Sequence, residues 1–228
     1  MNRVIPFLVG MLTLPTLLLS AACIVEEEPP ADDQDESSPL PAEPTPTLEP
    51  TGEPVTGHAC PAEQVESSNH WVAYEAPGDL EGTGWKIGDV LPDFTLVDQY
   101  GDEVSLYQFY GMVIMIEVGA VWCTYCNETA EKSTTLLDSY NDDCVIFLYL
   151  LTQDANGGEV SQTDVENWAE WYDLDYPVLG DVGEEISSAL GVKAYPMFYF
   201  VDREMVLRSK VMGAENYREI NRNIQVLL

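Results

Sequence analysis

Two cysteines separated by two residues, Cys123 and Cys126, have the clearest chemical potential in this chain. They follow an apolar run, residues 112–118, that is typical of a buried strand, and they precede a predicted helix at 127–140. A sulfur at a helix start lies near unpaired backbone N–H groups and the positive end of the helix dipole, which favour a thiolate. A second sulfur one turn further on can attack the mixed disulfide that the first one forms. The spacing therefore predicts a redox-active dithiol.

A structural disulfide and half of a zinc site are the alternative interpretations of this pair. A zinc site needs two further ligands. The remaining candidates are Cys60, Cys144, His58 and His70, and none of them belongs to a second C-x-x-C pair. We favour the dithiol, and we expect neither a metal nor another cofactor.

A proline is the next unusual residue. Pro196 stands seventy residues after Cys126 and enters a predicted strand at 197–201. Proline donates no hydrogen bond to a strand ladder, so it is out of place inside a buried sheet. A cis bond between Tyr195 and Pro196, at the edge of the strand and beside the dithiol, would remove this conflict.

The elements that must position these residues follow from the apolar pattern and the turn signals. We predict strands near 94–97, 104–106, 112–118, 144–151, 197–201 and 206–211, and helices near 127–140, 161–172, 183–190 and 217–227. The order β-β-β-α-β-α-α-β-β-α predicts an α/β sandwich whose mixed central sheet has an antiparallel edge.

Over residues 86–228 the chain resembles the thioredoxin superfamily. Within it, the chain is most similar to the membrane-anchored extracytoplasmic thiol–disulfide oxidoreductases of the redoxin group (TlpA- and ResA-like). The segment 88–96, the W-C-x-x-C motif at 122–126 and the segment 191–202 carry the resemblance. It implies a thioredoxin-like three-layer sandwich with an N-terminal β-hairpin extension.

The resemblance also implies roles for individual residues. Cys123 is expected to be the exposed nucleophile with the lower pKa, Cys126 the shielded resolving thiol, and Pro196 the cis-proline beside the substrate groove. The other residues expected along this groove are Trp122, Thr124, Tyr125 and Tyr195.

Glu117 interrupts the apolar run six positions before Cys123. Thioredoxins place a buried acidic residue there that helps to deprotonate the resolving thiol. A carboxyl group in an apolar interior has a raised pKa and can exchange protons with a neighbouring sulfur. In the alternative interpretation, the strand is already emerging and Glu117 lies in solvent.

Three positions depart from the pattern of this group. Tyr125 stands where proline is frequent, Met197 where threonine is frequent, and Thr129 where glutamate is common. Tyr125 lies between the two cysteines, where side chains tune the redox potential, so the departures bear on the direction of the reaction. From the resemblance we expect a reductant.

Cys60 and Cys144 remain as possible partners for each other in an oxidising compartment. A disulfide between them would fasten the segment 59–85, which we predict to be a transitional loop, to the start of a buried strand. In the alternative, Cys144 is an inert buried thiol and Cys60 is open to modification.

Residues 1–22 are predicted to be a signal sequence. Arg3 precedes an apolar run at 4–19 that is shorter than the roughly 20 residues a membrane span requires. The run ends in Leu-Ser-Ala-Ala before Cys23, which resembles the lipobox of bacterial lipoproteins, although Ser20 stands where that motif usually has leucine. We expect a lipid on Cys23; the alternative is an ordinary signal peptide that leaves Cys23 free.

The segment 23–58 is predicted to be an acidic, proline-rich disordered tether. Residues 24–58 carry ten acidic side chains and no Lys or Arg. Such a segment cannot bury enough apolar surface to offset the entropy of ordering it. Extended in this way, it would hold the folded domain at a distance from its membrane.

The charge of the chain narrows its possible partners. With Lys+Arg 9 against Asp+Glu 40, the net charge is −31, which argues against binding to nucleic acids or to anionic lipid headgroups. From the resemblance and the predicted anchor, we expect a lipid-anchored enzyme of the cell envelope, facing the periplasm or the exterior. It would reduce disulfides of client proteins with electrons from a membrane or periplasmic donor.

Three other functions compete with this prediction. A peroxiredoxin needs Pro seven and Thr three residues before its reactive cysteine, where this chain has Ile116 and Ala120. A copper chaperone needs C-x-x-x-C and a downstream histidine, and no histidine follows His70. A catalytically idle scaffold with a thioredoxin fold is the third alternative.

Overall fold

The computed structural model of the protein describes residues 60–140, 143–213 and 217–228. The predicted signal sequence, Cys23 and the predicted tether lie outside these residues. The strands are β1 (Thr95–Asp98), β2 (Glu103–Ser105), β3 (Val113–Gly119), β4 (Val145–Leu151), β5 (Val178–Gly180), β6 (Met197–Val201) and β7 (Leu207–Met212). The helices are α1 (Thr124–Asp138), α2 (Gln162–Tyr172), α3 (Glu185–Leu190) and α4 (Tyr217–Leu227).

The seven strands form one mixed sheet in the order β2-β1-β5-β4-β3-β6-β7. The three central strands β5, β4 and β3 are parallel, and the pairs on either side of them are antiparallel. All seven residues of β3 are buried, as expected for a strand that is covered on both faces. Because β3, β4 and β5 are parallel, the loops after them meet at one edge of the sheet.

Two apolar clusters hold the sheet between its outer layers. On one face, side chains of α1, α2 and α4 pack against residues such as Phe147, Tyr149 and Phe198. On the other face, α3 and the loops pack against Ile114, Ile116 and Tyr199. Successive strand residues alternate between the two clusters because successive side chains point to opposite faces of a sheet.

The predicted mixed α/β sandwich with an N-terminal hairpin is confirmed, and two details of the prediction were wrong. The strand β5 was missed, because Val178–Gly180 has only three residues and follows Pro177, too short a run for any periodicity. Helix α1 begins at Thr124, three residues before its predicted start. The earlier start places the second cysteine inside the first helical turn.

Residues 60–85 form neither a helix nor a strand, and they pack along the domain. Tyr74 is buried in the cluster of the second face, and Trp71 and Trp85 pack at its border. The indole nitrogen of Trp71 donates a hydrogen bond to a carboxylate oxygen of Asp98 at 2.7 Å. In the three described stretches, no helix combines the length and the apolar character that a membrane crossing requires.

Candidate active site

Cys123 is the N-cap residue of α1, and its sulfur is bonded to that of Cys126. The Cys123 sulfur also accepts a hydrogen bond from the backbone N–H of Cys126 at 3.2 Å. The first turn of α1 contains no acidic residue that would offset the positive end of the helix dipole. In the reduced protein, both features would favour a thiolate on Cys123.

The dithiol is less accessible than the sequence indicated. Cys126 is fully buried and Cys123 is 4% exposed, so the expectation of an exposed nucleophile is wrong for the disulfide form. The physical reason is that both sulfurs pack in the apolar cluster beneath α1, together with Ala120 and Ala130. Trp122 and Tyr125, in contrast, are 49% and 56% exposed. A client disulfide would therefore meet these aromatic side chains around a largely covered sulfur pair.

The Tyr195–Pro196 peptide bond is cis. Pro196 directly precedes β6, whose first residue, Met197, pairs with Val118 near the end of β3. Four residues separate Val118 from Cys123 in the sequence. The fold thus brings Pro196 and the dithiol to the same edge of the sheet.

A hydrogen-bonded network flanks the motif on one side. The indole nitrogen of Trp122 donates to the Gln153 amide oxygen at 2.7 Å, and the Gln153 amide nitrogen donates to Glu184 at 2.7 Å. Thr152 donates to the Tyr195 hydroxyl oxygen at 2.9 Å, and the rings of Trp122 and Tyr195 meet edge to face with centroids 5.8 Å apart. Of the four residues expected along the groove, Trp122 and Tyr195 are joined here, while Thr124 and Tyr125 are exposed on the first turn of α1.

Three members of this network, Thr152, Gln153 and Glu184, were not predicted from the sequence. Thr152 and Gln153 directly follow β4, and Glu184 lies shortly after β5. The available signal was their position after parallel strands, whose carboxyl ends share an edge with the end of β3. It could not be used for Glu184 because β5 itself was not predicted.

Glu117 is buried, 2% exposed, on the face of β3 that α1 covers. The structure therefore excludes the alternative in which this carboxyl lies in solvent. Burial raises the pKa of Glu117 to about 8, and the hydrogen bond from Thr129 opposes this rise in part. At neutral pH the carboxyl is mostly protonated, yet it titrates near the pH range in which thiols exchange protons.

Cys60 and Cys144 form a disulfide that spans 84 residues of sequence, with their Cα atoms 4.8 Å apart. Cys144 directly precedes β4, and Val145 pairs with Val113 at the start of β3. The dithiol follows the other end of β3, roughly 20 Å away along the strand. The two sulfur pairs therefore lie at opposite ends of the sheet, and this disulfide fastens the segment 60–85 at a distance from the site.

If Cys123 and Cys126 were half of a zinc site, further ligand side chains would have to lie close to them. Within the three described stretches, no group of three or more His, Cys, Asp or Glu side chains is arranged to hold a metal ion. The described site consists of a sulfur pair, a buried carboxyl group and a ring of aromatic and polar side chains. This arrangement can exchange disulfides.

Several bacterial proteins are similar to this chain in sequence. The thioredoxin-like protein YneN of Bacillus subtilis is 26% identical over 156 residues, which cover 68% of this chain and 88% of YneN. The thiol-disulfide oxidoreductase ResA of Bacillus thuringiensis subsp. konkukian is 25% identical over 135 residues, 59% of this chain and 75% of ResA. The similarity to a thioredoxin-like protein and to a thiol-disulfide oxidoreductase thus extends over most of the folded part of the chain.

Solved structures show the same fold. A protein from Chlorobium tepidum described as a thiol:disulfide interchange protein DsbE is 18% identical and has a TM-score of 0.56, covering 63% of this chain and 99% of its own. The pneumococcal exposed lipoprotein thioredoxin Etrx1 of Streptococcus pneumoniae is 28% identical, with a TM-score of 0.51 and coverage of 59% and 99%. The predicted thioredoxin-like fold is confirmed.

The sequence model of the AhpC/TSA family matches residues 87–210. This match begins shortly before β1 and ends within β7, so it contains the dithiol, Glu117 and Pro196. Because it covers more than half of the sequence, the chain belongs to the AhpC/TSA family.

Proposed function

We propose that this protein is a lipid-anchored, extracytoplasmic thiol–disulfide oxidoreductase that reduces disulfides of client proteins through Cys123 and Cys126. The observation that carries the proposal is the position of Cys123. It caps α1, bonds to the buried Cys126 and lies at the sheet edge that cis-Pro196 also occupies. The names of the relatives YneN and ResA support the same class of chemistry.

The proposed cycle begins with the reduced dithiol. The Cys123 thiolate attacks one sulfur of a client disulfide, that S–S bond breaks, and the other client sulfur leaves as a thiolate that takes up a proton. Cys126 then gives up its proton, and its thiolate attacks the Cys123 sulfur and releases the second client sulfur. Two electrons pass to the client, and the dithiol becomes the Cys123–Cys126 disulfide. An external thiol donor must reduce this disulfide before the next cycle.

Glu117 is the group proposed to accept the proton of Cys126. Its carboxyl lies on the side of β3 that faces α1, and Thr129 connects it to the backbone of Cys126. A pKa of about 8 leaves part of the carboxyl ionised at neutral pH and keeps it close in basicity to a thiolate. Proton transfer between two groups of similar pKa needs little driving force in either direction.

The proposed anchor is a lipid on Cys23, at the end of the predicted signal sequence. The description of Etrx1 as an exposed lipoprotein thioredoxin supports this part of the proposal. The acidic segment 23–58 would then span the distance between the lipid and the folded domain on the outer side of the membrane. Cys23→Ser should release a soluble protein or an uncleaved precursor, whereas unchanged processing and membrane association would contradict the anchor.

Trapping of the mixed disulfide tests the roles of the two sulfurs. Cys126→Ser should accumulate covalent adducts with client proteins in cells, because the step that releases the client is lost. Cys123→Ser should accumulate few adducts, and the double variant Cys60→Ser/Cys144→Ser serves as a control with an intact dithiol. Mass spectrometry of the adducts would name the clients, and equal trapping by both single variants would contradict the assignment.

Two further measurements test the reaction itself. Reduction of insulin in the presence of dithiothreitol separates an active oxidoreductase from an idle scaffold with the same fold. A reduction potential below about −180 mV supports a reductant, whereas a value near −120 mV would indicate an oxidant. Peroxide reduction is not supported, because Ala120 offers no hydroxyl group three residues before Cys123.

A further inference from the structure

Tyr149 is a fully buried residue that the proposed cycle does not use. It lies in β4 directly opposite Glu117 of the parallel neighbour β3, so both side chains point to the face that α1 covers. Its ring packs in the same apolar cluster as Cys126 and lies 5.3 Å from the ring of Trp168, centroid to centroid. The fold therefore fixes this hydroxyl group beneath the active-site helix.

The surroundings of Gly119 show how close the Tyr149 hydroxyl oxygen lies to the sulfur of Cys126. A Cβ atom at Gly119 would stand 2.1 Å from the Tyr149 hydroxyl oxygen and 3.0 Å from the Cys126 sulfur. The Tyr149 hydroxyl oxygen and the Cys126 sulfur therefore border the same small space beside Gly119. The distance between these two atoms is no more than the sum of the two distances just given. Gly119, at the end of β3, leaves that space open.

The Tyr149 hydroxyl has no hydrogen-bond partner among the described residues. Two other tyrosines with fully buried rings have a partner for the hydroxyl: Tyr176 bonds with Ser133, and Tyr199 donates to the carbonyl of Leu190. A buried hydroxyl without a partner costs free energy, so its presence beside a reacting atom calls for an explanation. In the disulfide form, the Cys126 sulfur is bonded to Cys123 and carries no charge.

We propose that the Tyr149 hydroxyl donates a hydrogen bond to the sulfur of Cys126 when the dithiol is reduced. This inference rests on the dithiol cycle of the proposed function. Reduction frees the Cys126 sulfur to turn about its Cα–Cβ bond, and deprotonation makes it a strong acceptor in a surrounding that excludes water. No covalent bond forms or breaks in this contact, and the tyrosine keeps its proton.

The chemistry of the site favours this direction of donation. Burial and the Glu117 carboxyl both raise the pKa of Tyr149 well above its ordinary value, so its hydroxyl stays protonated and acts as a donor. The titratable side chains around Tyr149 are Glu117, Tyr172, Tyr176, Tyr195, Cys123 and Cys126. Each of these tyrosines is also held protonated by burial, so Glu117 and the cysteines are the groups that can change charge near neutral pH.

The consequence is a more stable Cys126 thiolate. A hydrogen bond to an ionised group lowers the pKa of a thiol, and loss of this bond should raise the pKa of Cys126 by about one unit. A more basic thiolate is also a better nucleophile, so the release of a mixed disulfide should slow by only about threefold. Because the bond stabilises the reduced form, its loss should make the reduction potential more negative, by about 30 mV for each tenfold change in the equilibrium constant.

Tyr149→Phe tests the inference, with Tyr199→Phe as the matched control. Tyr199 is equally buried but belongs to the cluster on the opposite face of the sheet. Tyr199→Phe should lower the melting temperature of the oxidised protein, since a bonded hydroxyl is lost, without moving the pKa of Cys126. Tyr149→Phe should leave the oxidised protein at least as stable as the wild type.

The pKa of Cys126 is read from the ¹³Cβ chemical shift in a Cys123→Ser background, and the potential from equilibration of the full chain with glutathione. Neither measurement needs a client protein, so they remain informative even if no client is reduced. If folded Tyr149→Phe shows the pKa and the potential of the wild type, the inference is overturned. Equal shifts in Tyr199→Phe would overturn it as well.

Discussion

The hydroxyl of Thr129 lies between the carboxyl group of Glu117 and the carbonyl oxygen of Cys126, and it is within hydrogen-bond distance of both. A hydroxyl has one proton, so it cannot donate to both oxygens at once. When Glu117 is protonated, it can donate to Thr129, which then donates to the Cys126 carbonyl. When Glu117 is ionised, the Thr129 proton turns towards the carboxylate. The protonation state of the buried acid is thus coupled to the first turn of α1.

Glu117→Gln should slow the release of the mixed disulfide and leave the first attack by Cys123 nearly unchanged. The reason is that the amide keeps the shape of the side chain but cannot accept the proton of Cys126. Stopped-flow kinetics with a fluorescent client peptide would resolve the two steps between pH 6 and 9. Glu128→Gln, a change at an exposed acid on α1, is the control. A release profile identical to that of the wild type would place Glu117 outside the mechanism.

The same substitution should change how stability depends on pH. The pKa of Glu117 is raised from 4.5 to about 8 in the folded protein, mainly by burial. The folded state then holds a proton that the unfolded state has lost, so the free energy of unfolding falls as the pH rises from about 5 to 8. Removal of this group should stabilise the protein by up to about 4 kcal/mol at pH 8 and by little at pH 4.

Urea denaturation of the oxidised wild type and of Glu117→Gln at both pH values measures this effect. The sign of the change in this stability difference with pH decides the question. If the wild type gained stability relative to the variant as the pH rises, the carboxyl would be ionised in the folded state. Such a result would contradict a protonated Glu117 at neutral pH.

Thr129→Val keeps the shape of the side chain and removes the hydroxyl that joins Glu117 to Cys126. Since the hydrogen bond from Thr129 lowers the pKa of Glu117, its loss should raise that pKa further. The variant should lose about 1–3 kcal/mol of stability, because a buried partner is left without its hydrogen bond. Thr135→Val, at an exposed position of the same helix, should change neither quantity. An unchanged titration of Glu117, followed by ¹³C NMR of its carboxyl carbon, would contradict the coupling.

The sequence predicted the dithiol, the buried acid and the proline because each is a local signal: a spacing, a charge inside an apolar run, and a proline at a strand. The positions of Tyr149 and Gly119 beside Cys126 could not be predicted, since they depend on the parallel register of β3 and β4. The three residues of β5 are too few to show a periodic pattern. Because β5 was not predicted, the position of Glu184 in the hydrogen-bonded network could not be predicted either. Local sequence patterns thus identified the reacting groups, whereas the residues around them could be identified only from the pairing of the strands in the sheet.

The disulfide between Cys60 and Cys144 should stabilise the domain without contributing to turnover. It closes a loop of 84 residues, for which the loss of chain entropy in the unfolded state corresponds to about 4.5 kcal/mol. Cys60→Ser/Cys144→Ser should lose stability of this order in urea denaturation, with insulin reduction retained at 25 °C. The matched control is Cys123→Ser/Cys126→Ser, which removes a loop of only three residues and should lose about 2 kcal/mol. Equal losses in the two variants would contradict the entropic account.

Gly119→Ala tests the close approach of Tyr149 to the resolving sulfur. The new methyl group would stand 2.1 Å from the Tyr149 hydroxyl oxygen and 2.9 Å from its Cζ atom, so the ring or the strand must move. In a well-packed interior such crowding costs about 1–3 kcal/mol. The double variant Gly119→Ala/Tyr149→Phe lacks the nearest oxygen and should regain part of this loss, because the remaining ring carbon is further away. Urea denaturation of the wild type, both single variants and the double variant gives the coupling energy between the two positions. Strictly additive losses would mean that the methyl group is accommodated elsewhere and that the hydroxyl does not border the space beside Cys126.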